Sequence, residues 1–271
     1  MKNFINKVAL ITGAASGIGR GIALKCAYEQ MKVVIVDIDR DNLEKVKHEL
    51  LQITPHVLAL QKDISNLSEI KDMISHVRHE YSSINLLVNN AGVSGPLGPV
   101  WELPTTQLEW TIKVNLSSII YSLQSIIPLM IKQDDECHIV NISSHVGLNS
   151  NPHLTAYQIT KHAITTLTET LEQDLRIAGH DKINASVFFP YFVKSNLANS
   201  GRHLKNNEKL HVSENSKEFL KTLANYTDNG IDTLTAAEIL FNGIIGNNLY
   251  IFTDDETKKA FKSRADAILQ P

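Results

Sequence analysis

Tyr157 and Lys161 stand four residues apart in the stretch TAYQITKHAITTL, residues 155–167. Read as a helix, that stretch puts both side chains on one face, with Cβ atoms about 5–6 Å apart. A free phenol has a pKa of about 10 and is a poor base at neutral pH. A neighbouring ammonium favours the phenolate and brings that value toward the working range. The pair is a candidate acid/base. It also reads as a surface helix carrying the two side chains by chance, since the chain has 7 tyrosines and 26 lysines plus arginines. The surrounding elements must decide.

A second chemical signal lies near the start. TGAASGIG, residues 12–19, joins an apolar run to a helical one. Gly13, Gly17 and Gly19 allow a tight turn and a close backbone approach to a ligand. A helix N-terminus following such a turn points free N–H groups and a positive dipole end at an anion, and a pyrophosphate is the natural occupant. The spacing is G-x-x-x-G-x-G rather than the G-x-G-x-x-G dinucleotide fingerprint. Asp37 follows Gly19 by 18 residues (37 − 19) at the end of the next apolar run. An acidic residue there accepts hydrogen bonds from an adenosine ribose and repels a 2′-phosphate. NAD is therefore expected over NADP; Arg20 and Arg40 are the residues that could reverse the preference by turning toward a 2′-phosphate.

The elements that would position these groups follow an alternating pattern. Near-continuous apolar runs at 7–12, 32–37, 56–61, 84–90, 137–143, 183–189 and 248–252 predict strands buried on both faces. Stretches of helical period at 17–30, 40–52, 67–81, 105–132, 155–178, about 233–244 and from about 254 predict helices between them. Strand–helix–strand repetition implies a parallel sheet with right-handed crossovers. Residues 190–232 are polar, Asn-rich and aperiodic, and predict a long insertion, a lid or a disordered loop. No linker or repeat divides the 271 residues, so one α/β domain over 1–271 is expected.

Composition narrows the function classes. A net charge of −3 points to no nucleic-acid partner. Cys26 and Cys137 lie in unrelated contexts without Cys/His ligand spacing, so no metal site and no disulfide scaffold is expected. The first apolar run is broken at once by glycine and reads as a strand, not a signal peptide. No segment approaches 18 uninterrupted apolar residues, so no membrane span is expected, and a reducing cytoplasm is the default compartment.

Taken in order, the glycine turn, Asp37, DI (63–64), NNAG (89–92), Asn115, NISS (141–144) and YQITK (157–161) resemble a classical short-chain dehydrogenase/reductase over roughly residues 7–198. The resemblance implies a single Rossmann-like, doubly wound domain with a seven-stranded parallel sheet. It implies Tyr157 as acid/base, Lys161 as its partner, Ser144 as the substrate-orienting hydroxyl, and Asn115 as holder of a proton-relay water. Ser143 is the rival for Ser144, but Ser144 precedes Tyr157 by the family's usual 13 residues (157 − 144). For the cofactor it implies Gly13, Ser16, Gly17, Ile18 and Gly19 at the pyrophosphate, and Asp63 and Ile64 at the adenine. Asn90, Ala91 and Gly92 pass beside the ribose and nicotinamide, or else NNAG (89–92) serves only to brace the central sheet.

The implied reaction interconverts a secondary alcohol and a ketone. Hydride leaves for the nicotinamide as the hydroxyl proton goes to Tyr157, the nicotinium charge joins the ammonium in favouring the phenolate, and Lys161 also binds the nicotinamide ribose. The resemblance further implies a homodimer or homotetramer built on the long helices at 105–132 and 155–178. The main departure is FFPYFVKSN (188–196), where Tyr191 replaces the family's Gly after Pro190, and Ser195 its Thr. Carboxamide contacts from Pro190, Val193 and Ser195 are expected through a shifted segment, with the Tyr191 ring toward the pocket. His145, Asn149, Asn151 and His153 face either substrate or solvent. The competing reading is a catalytically weak cofactor-binding regulatory or scaffold protein of the same fold, although such proteins often lose the Tyr, Lys or Ser retained here.

Overall fold

The computed structural model describes residues 1–204 and 208–270. Its centre is one seven-stranded, all-parallel sheet in the order β3-β2-β1-β4-β5-β6-β7. The strands are β1 (Val8–Thr12), β2 (Lys32–Asp37), β3 (Val57–Gln61), β4 (Leu86–Asn89), β5 (Cys137–Ile142), β6 (Ile183–Phe189) and β7 (Tyr250–Phe252). Successive side chains alternate faces, and the two faces are covered by different helices. Ala9, Ile11, Val33 and Ile35 pack under α1 (Gly17–Tyr28), α2 (Arg40–Leu50) and α8 (Thr233–Ile245). Val8, Leu10, Val34 and Val36 pack under α3 (Leu67–Tyr81), α5 (Ser118–Gln133) and α6 (Thr155–Ile177). Burial on both faces is why these strands read as unbroken apolar runs.

Three helix starts are fixed by capping side chains. Asp39 accepts from the Asn42 N–H at 3.2 Å, Asn66 from Ser68 at 3.0 Å and Asp232 from Leu234 at 2.8 Å. Each cap satisfies one N–H that has no partner inside its helix. The strand order reverses at β1, whose neighbours β2 and β4 are reached in opposite directions. In an open parallel sheet the crevice for a ligand opens at that switch point, beyond the carboxyl ends of the strands. Thr12, Asp37, Asn89 and Ile142 end their strands at that edge.

The long helix expected at 105–132 runs from Thr105 to Gln133, with α4 (Thr105–Ile112) joined to α5 by a π turn at Lys113–Ser117. Its length and mean hydropathy of 1.5 would suffice to cross a membrane, which a search for uninterrupted apolar runs does not register. Here Ile119, Leu123, Ile126 and Met130 pack it onto the sheet.

The segment after β6 differs from its reading as an aperiodic insertion. It contains a 3-10 helix at Leu197–His203 and α7 (Lys217–Asp228), while 205–207 lie outside the described residues. Val193 bridges to Ile231, and Val212 to Leu97. Gln107 on α4 accepts from the His211 N–H at 2.9 Å and donates to the Lys209 carbonyl at 3.0 Å. Leu210, Val212, Phe219 and Leu220 close a small apolar cluster with Leu97, Val146, Leu154 and Tyr157. Helix α7 escaped the pattern because Asn-rich chain precedes it and its apolar residues form one narrow stripe. The last helix, α9, spans Glu256–Leu269.

Gly19 sits where α1 meets the β1–α1 turn. A Cβ there would stand 2.2 Å from the Gly13 carbonyl oxygen and 2.4 Å from Asn90 Nδ2. Gly19→Ala should therefore displace the turn at a cost of about 1–3 kcal/mol, as core overpacking does. Thermal unfolding should show a fall of roughly 2–4 °C per kcal/mol. An unchanged midpoint would show that the turn has room the geometry denies it.

Candidate active site

The carboxyl edge of the sheet opens into a cleft of about 1010 Å³. That is at the top of the range of roughly 300–1,000 Å³ for small-molecule sites. Helix α6 brings Tyr157 and Lys161 to one side of it. Lys161 is buried at 4% exposure, and its Nζ donates to the carbonyl of Ile142, the last residue of β5, at 2.7 Å. The same Nζ lies 5.3 Å from the centre of the Tyr157 ring. Ser144 follows β5 in extended conformation, and its hydroxyl accepts from the Val146 N–H at 3.4 Å. The Ser143 hydroxyl instead donates to the Lys161 carbonyl at 2.9 Å and meets Thr165 Oγ1 at 3.1 Å, so it is committed to α6 packing.

Burial governs the electrostatics. It pushes the Tyr157 phenol up to about 12, against a lowering contribution from the Ser144 hydroxyl. It pushes Lys161 down to about 7. The expected lowering rests on the ammonium and the nicotinium charge together; among the chain's own groups, desolvation disfavours the charged form of both Tyr157 and Lys161 and prevails.

Asn115 does not line the cleft. The π turn carries it inward, fully buried. There its Oδ1 accepts from the Val93 N–H at 2.8 Å, and its Nδ2 donates to the Val93 carbonyl at 2.9 Å and to Thr160 Oγ1 at 3.1 Å. Both amide ends are used in tying the segment after β4 to α6. The structure thus gives the Asn115 side chain a bracing position.

At the other end of the cleft, Gly13 and Gly17 take left-handed angles, φ +66° and +54°. The α1 N-cap, Ser16, makes no side-chain cap bond, and no acid stands in the first turn. This helix start, unlike those of α2, α3 and α8, leaves its N–H groups directed at the cleft, beside Gly13, Ser16, Gly17 and Ile18. Gly19 lies behind the turn, and close packing rather than ligand contact requires it there. Asp37 accepts from the Ala15 N–H at 2.9 Å and the Asp39 N–H at 3.0 Å, which fixes its carboxylate at the cleft wall. Asp63 accepts from Ser65 and lines the cleft with Ile64. Asn90, Ala91 and Gly92 line it as well, and the Asn90 amide donates to the Thr12 and Gly13 carbonyls at 2.9 and 3.0 Å, which braces the glycine turn.

Neither Arg20 nor Arg40, the two arginines expected as candidates for a 2′-phosphate, lines the cleft. Arg20 pairs with Glu49 on α2, and Arg40 is exposed away from the cleft. Arg202 and His203 do reach the cleft, and the sequence pattern did not single them out. Both act electrostatically on Asp39.

Pro190, Val193 and Ser195 line the cleft, and Ser195 packs against Gly17. Tyr191 has no left-handed φ, so the residue at the glycine position carries no such strain. Its N–H donates to Thr253 Oγ1 at 2.9 Å. Its ring meets His145 at 4.8 Å and Phe192 at 4.5 Å, both edge-on, and Phe192 stacks on Tyr226 at 4.9 Å. Of the four polar loop residues, His145 and Asn151 reach the cleft. Asn149 donates to the His145 carbonyl at 3.2 Å, and His153 Nδ1 meets Ser216 Oγ at 2.8 Å.

Comparison with known proteins agrees with this layout. A family profile described as short chain dehydrogenase matches residues 7–206. The CLA biosynthesis dehydrogenase/reductase of Lactiplantibacillus plantarum is 34% identical, over 99% of this chain and 95% of the relative. A C alpha-dehydrogenase of Sphingobium sp. is 30% identical, over 99% and 87%. A short chain dehydrogenase/reductase from Burkholderia phymatum, solved in complex with NAD, superposes with a TM-score of 0.95 at 31% identity, covering 99% of this chain and 96% of that one. The chain belongs to the short chain dehydrogenase family of oxidoreductases.

Proposed function

We propose that the protein is an NAD-dependent oxidoreductase that interconverts a secondary alcohol and a ketone, with Tyr157 as acid/base. The observation that carries this reading is the convergence of Tyr157, Lys161 and Ser144 on one cleft whose other end holds Asp37 and the open α1 start. The residues fit a dinucleotide. The uncapped helix start suits a pyrophosphate. The anchored carboxylate of Asp37 suits an unphosphorylated ribose. The Burkholderia phymatum relative was solved with NAD.

When bound, the nicotinamide accepts hydride from the alcohol or gives it to the ketone. The chain's own residues handle the proton. With a phenol pKa of about 12, Tyr157 stays protonated at neutral pH and is ready to donate to a carbonyl oxygen during reduction. During oxidation it must take the alcohol proton, so positive charge in the cleft has to lower its pKa. Lys161, held down at about 7, is about half protonated at neutral pH and supplies only part of such a charge there, and it would also hold the nicotinamide ribose. Ser144 donates to the substrate oxygen and stabilises the charge that develops there. Asn115 holds the wall behind both groups.

Tyr157→Phe keeps the ring and removes only the proton carrier. It should lower kcat by roughly 10²–10⁴-fold while the NADH dissociation constant stays nearly unchanged. Lys161→Ala should damage both. A Phe variant with most of its activity would contradict the assignment.

Fluorescence titration should give tighter binding of NADH than of NADPH, because the anchored Asp37 carboxylate at the cleft wall would meet the adenosine ribose and Arg20 is paired with Glu49. Equal or tighter NADPH binding would overturn the preference and direct attention to Arg202.

We also propose a homodimer or homotetramer through α4–α5 and α6. Ile131 and Ile159 remain 38% and 51% exposed on these helices. Light scattering at micromolar concentration should give a multiple of the 30.2 kDa chain. A monomer would rule the assembly out.

A further inference from the structure

The two ends of the cleft differ in chemistry. Helix α7 turns Phe219, Leu223 and Tyr226 toward the cleft, at a spacing that places them on one helix face. Its charged residues lie elsewhere: Lys217 pairs with Glu214 and Lys221 with Glu218, all largely exposed. Tyr157 itself packs in the apolar cluster with Leu154 and Phe219. The adjoining wall is the ladder His145–Tyr191–Phe192–Tyr226. No lysine, arginine, aspartate or glutamate lines the cleft from residues 190–197 or from α7. His145 is neutral at pH 7, since burial holds it down at about 4. The charge felt by this wall is acidic, because Asp254 acts on both His145 and Tyr191. Cationic side chains reach the cleft from other elements: Lys161 on α6, committed to the Ile142 carbonyl, Lys62, paired with Asp72, Lys113 on the π turn, and Arg202 near Asp39.

We infer that the substrate, on the oxidoreductase reading proposed above, is an uncharged secondary alcohol or ketone with an apolar body, held between the His145–Tyr191–Phe192 wall and the α7 roof. An anionic group on the substrate's body would lose its hydration against this wall, gain no cationic partner from the wall or the roof, and face Asp254. An alkyl or aryl body would cover the exposed faces of Phe192, Phe219 and Leu223 and remove them from water.

The test is a reduction series with NADH on methyl ketones of increasing chain length, each matched to the 2-oxo acid of the same length. kcat/KM should rise by up to about fourfold per added CH2. Each ketone should exceed its matched oxo acid by at least about 100-fold. Leu223→Asp should remove most of the chain-length dependence while leaving the NADH dissociation constant unchanged. Tyr226→Ala, at a half-exposed position, serves as a second variant and should flatten the same slope. Ketones and oxo acids turned over equally, or a slope untouched in both variants, would overturn the inference and leave the oxidoreductase reading standing. Failure of every alcohol and carbonyl with either cofactor would overturn that reading itself.

Discussion

A buried ammonium on a backbone carbonyl ties this active site together. Lys161 Nζ has lost its water and donates to the Ile142 carbonyl at 2.7 Å. Taking such a charge from water costs several kcal/mol. One hydrogen bond from a charged donor returns about 1.5–3. The shortfall appears as a lysine held down at about 7. Its folded value lies below its unfolded one, so the folded state binds fewer protons between them. This group's penalty is therefore present in full below about pH 7 and fades as pH rises toward 10.5. The fold tolerates that cost, and in return α6 is registered on the end of β5. Tyr157 and Ser144, which sit on these two elements, then share one cleft.

The rest of the architecture serves that registration. Asn115 clamps the Val93 backbone to Thr160 on α6. The buried Asn89 amide donates to Asn141 at 2.8 Å, and Asn141 to Thr168 at 3.0 Å, which links β4, β5 and α6. Gly13, Gly17 and Asn90 form a turn that leaves the start of α1 open to an anion. The roof is a separate construction. It is tethered through Gln107 and Leu97 and lays apolar side chains over the phenol. Burial by that roof and by the sheet edge is what raises Tyr157 and lowers Lys161.

Much of this was legible in the sequence, for physical reasons. Strands buried on both faces cannot alternate, so seven apolar runs marked seven strands. The glycine turn, Asp37 and the i, i+4 pair Tyr157–Lys161 are local signals and needed no tertiary information. What stayed hidden was tertiary. Helix α7 has a stripe too narrow to rise above its polar surroundings. Asn115 and Gly19 share motifs with residues that line the cleft, yet the Asn115 amide and the Cα of Gly19 are turned into packing, and only the three-dimensional path shows it. The phenol's pKa depended on how deeply α6 is buried, which spacing along a helix does not encode. Tyr191 fits without a left-handed φ because the segment after Pro190 takes a path that any residue can follow.

The central claim is that burial keeps the Tyr157 phenol protonated until positive charge enters the cleft. Ultraviolet difference titration of wild type against Tyr157→Phe isolates this one ionisation from the other six tyrosines (7 − 1). Without cofactor, Tyr157 should remain un-ionised up to about pH 11, in line with its raised value of about 12. With saturating NAD⁺ its ionisation should move down by roughly 1–3 units, the shift expected from an opposite charge close by. A phenol that titrates at the ordinary value of about 10 in the free protein, or one whose titration NAD⁺ leaves in place, would contradict the account.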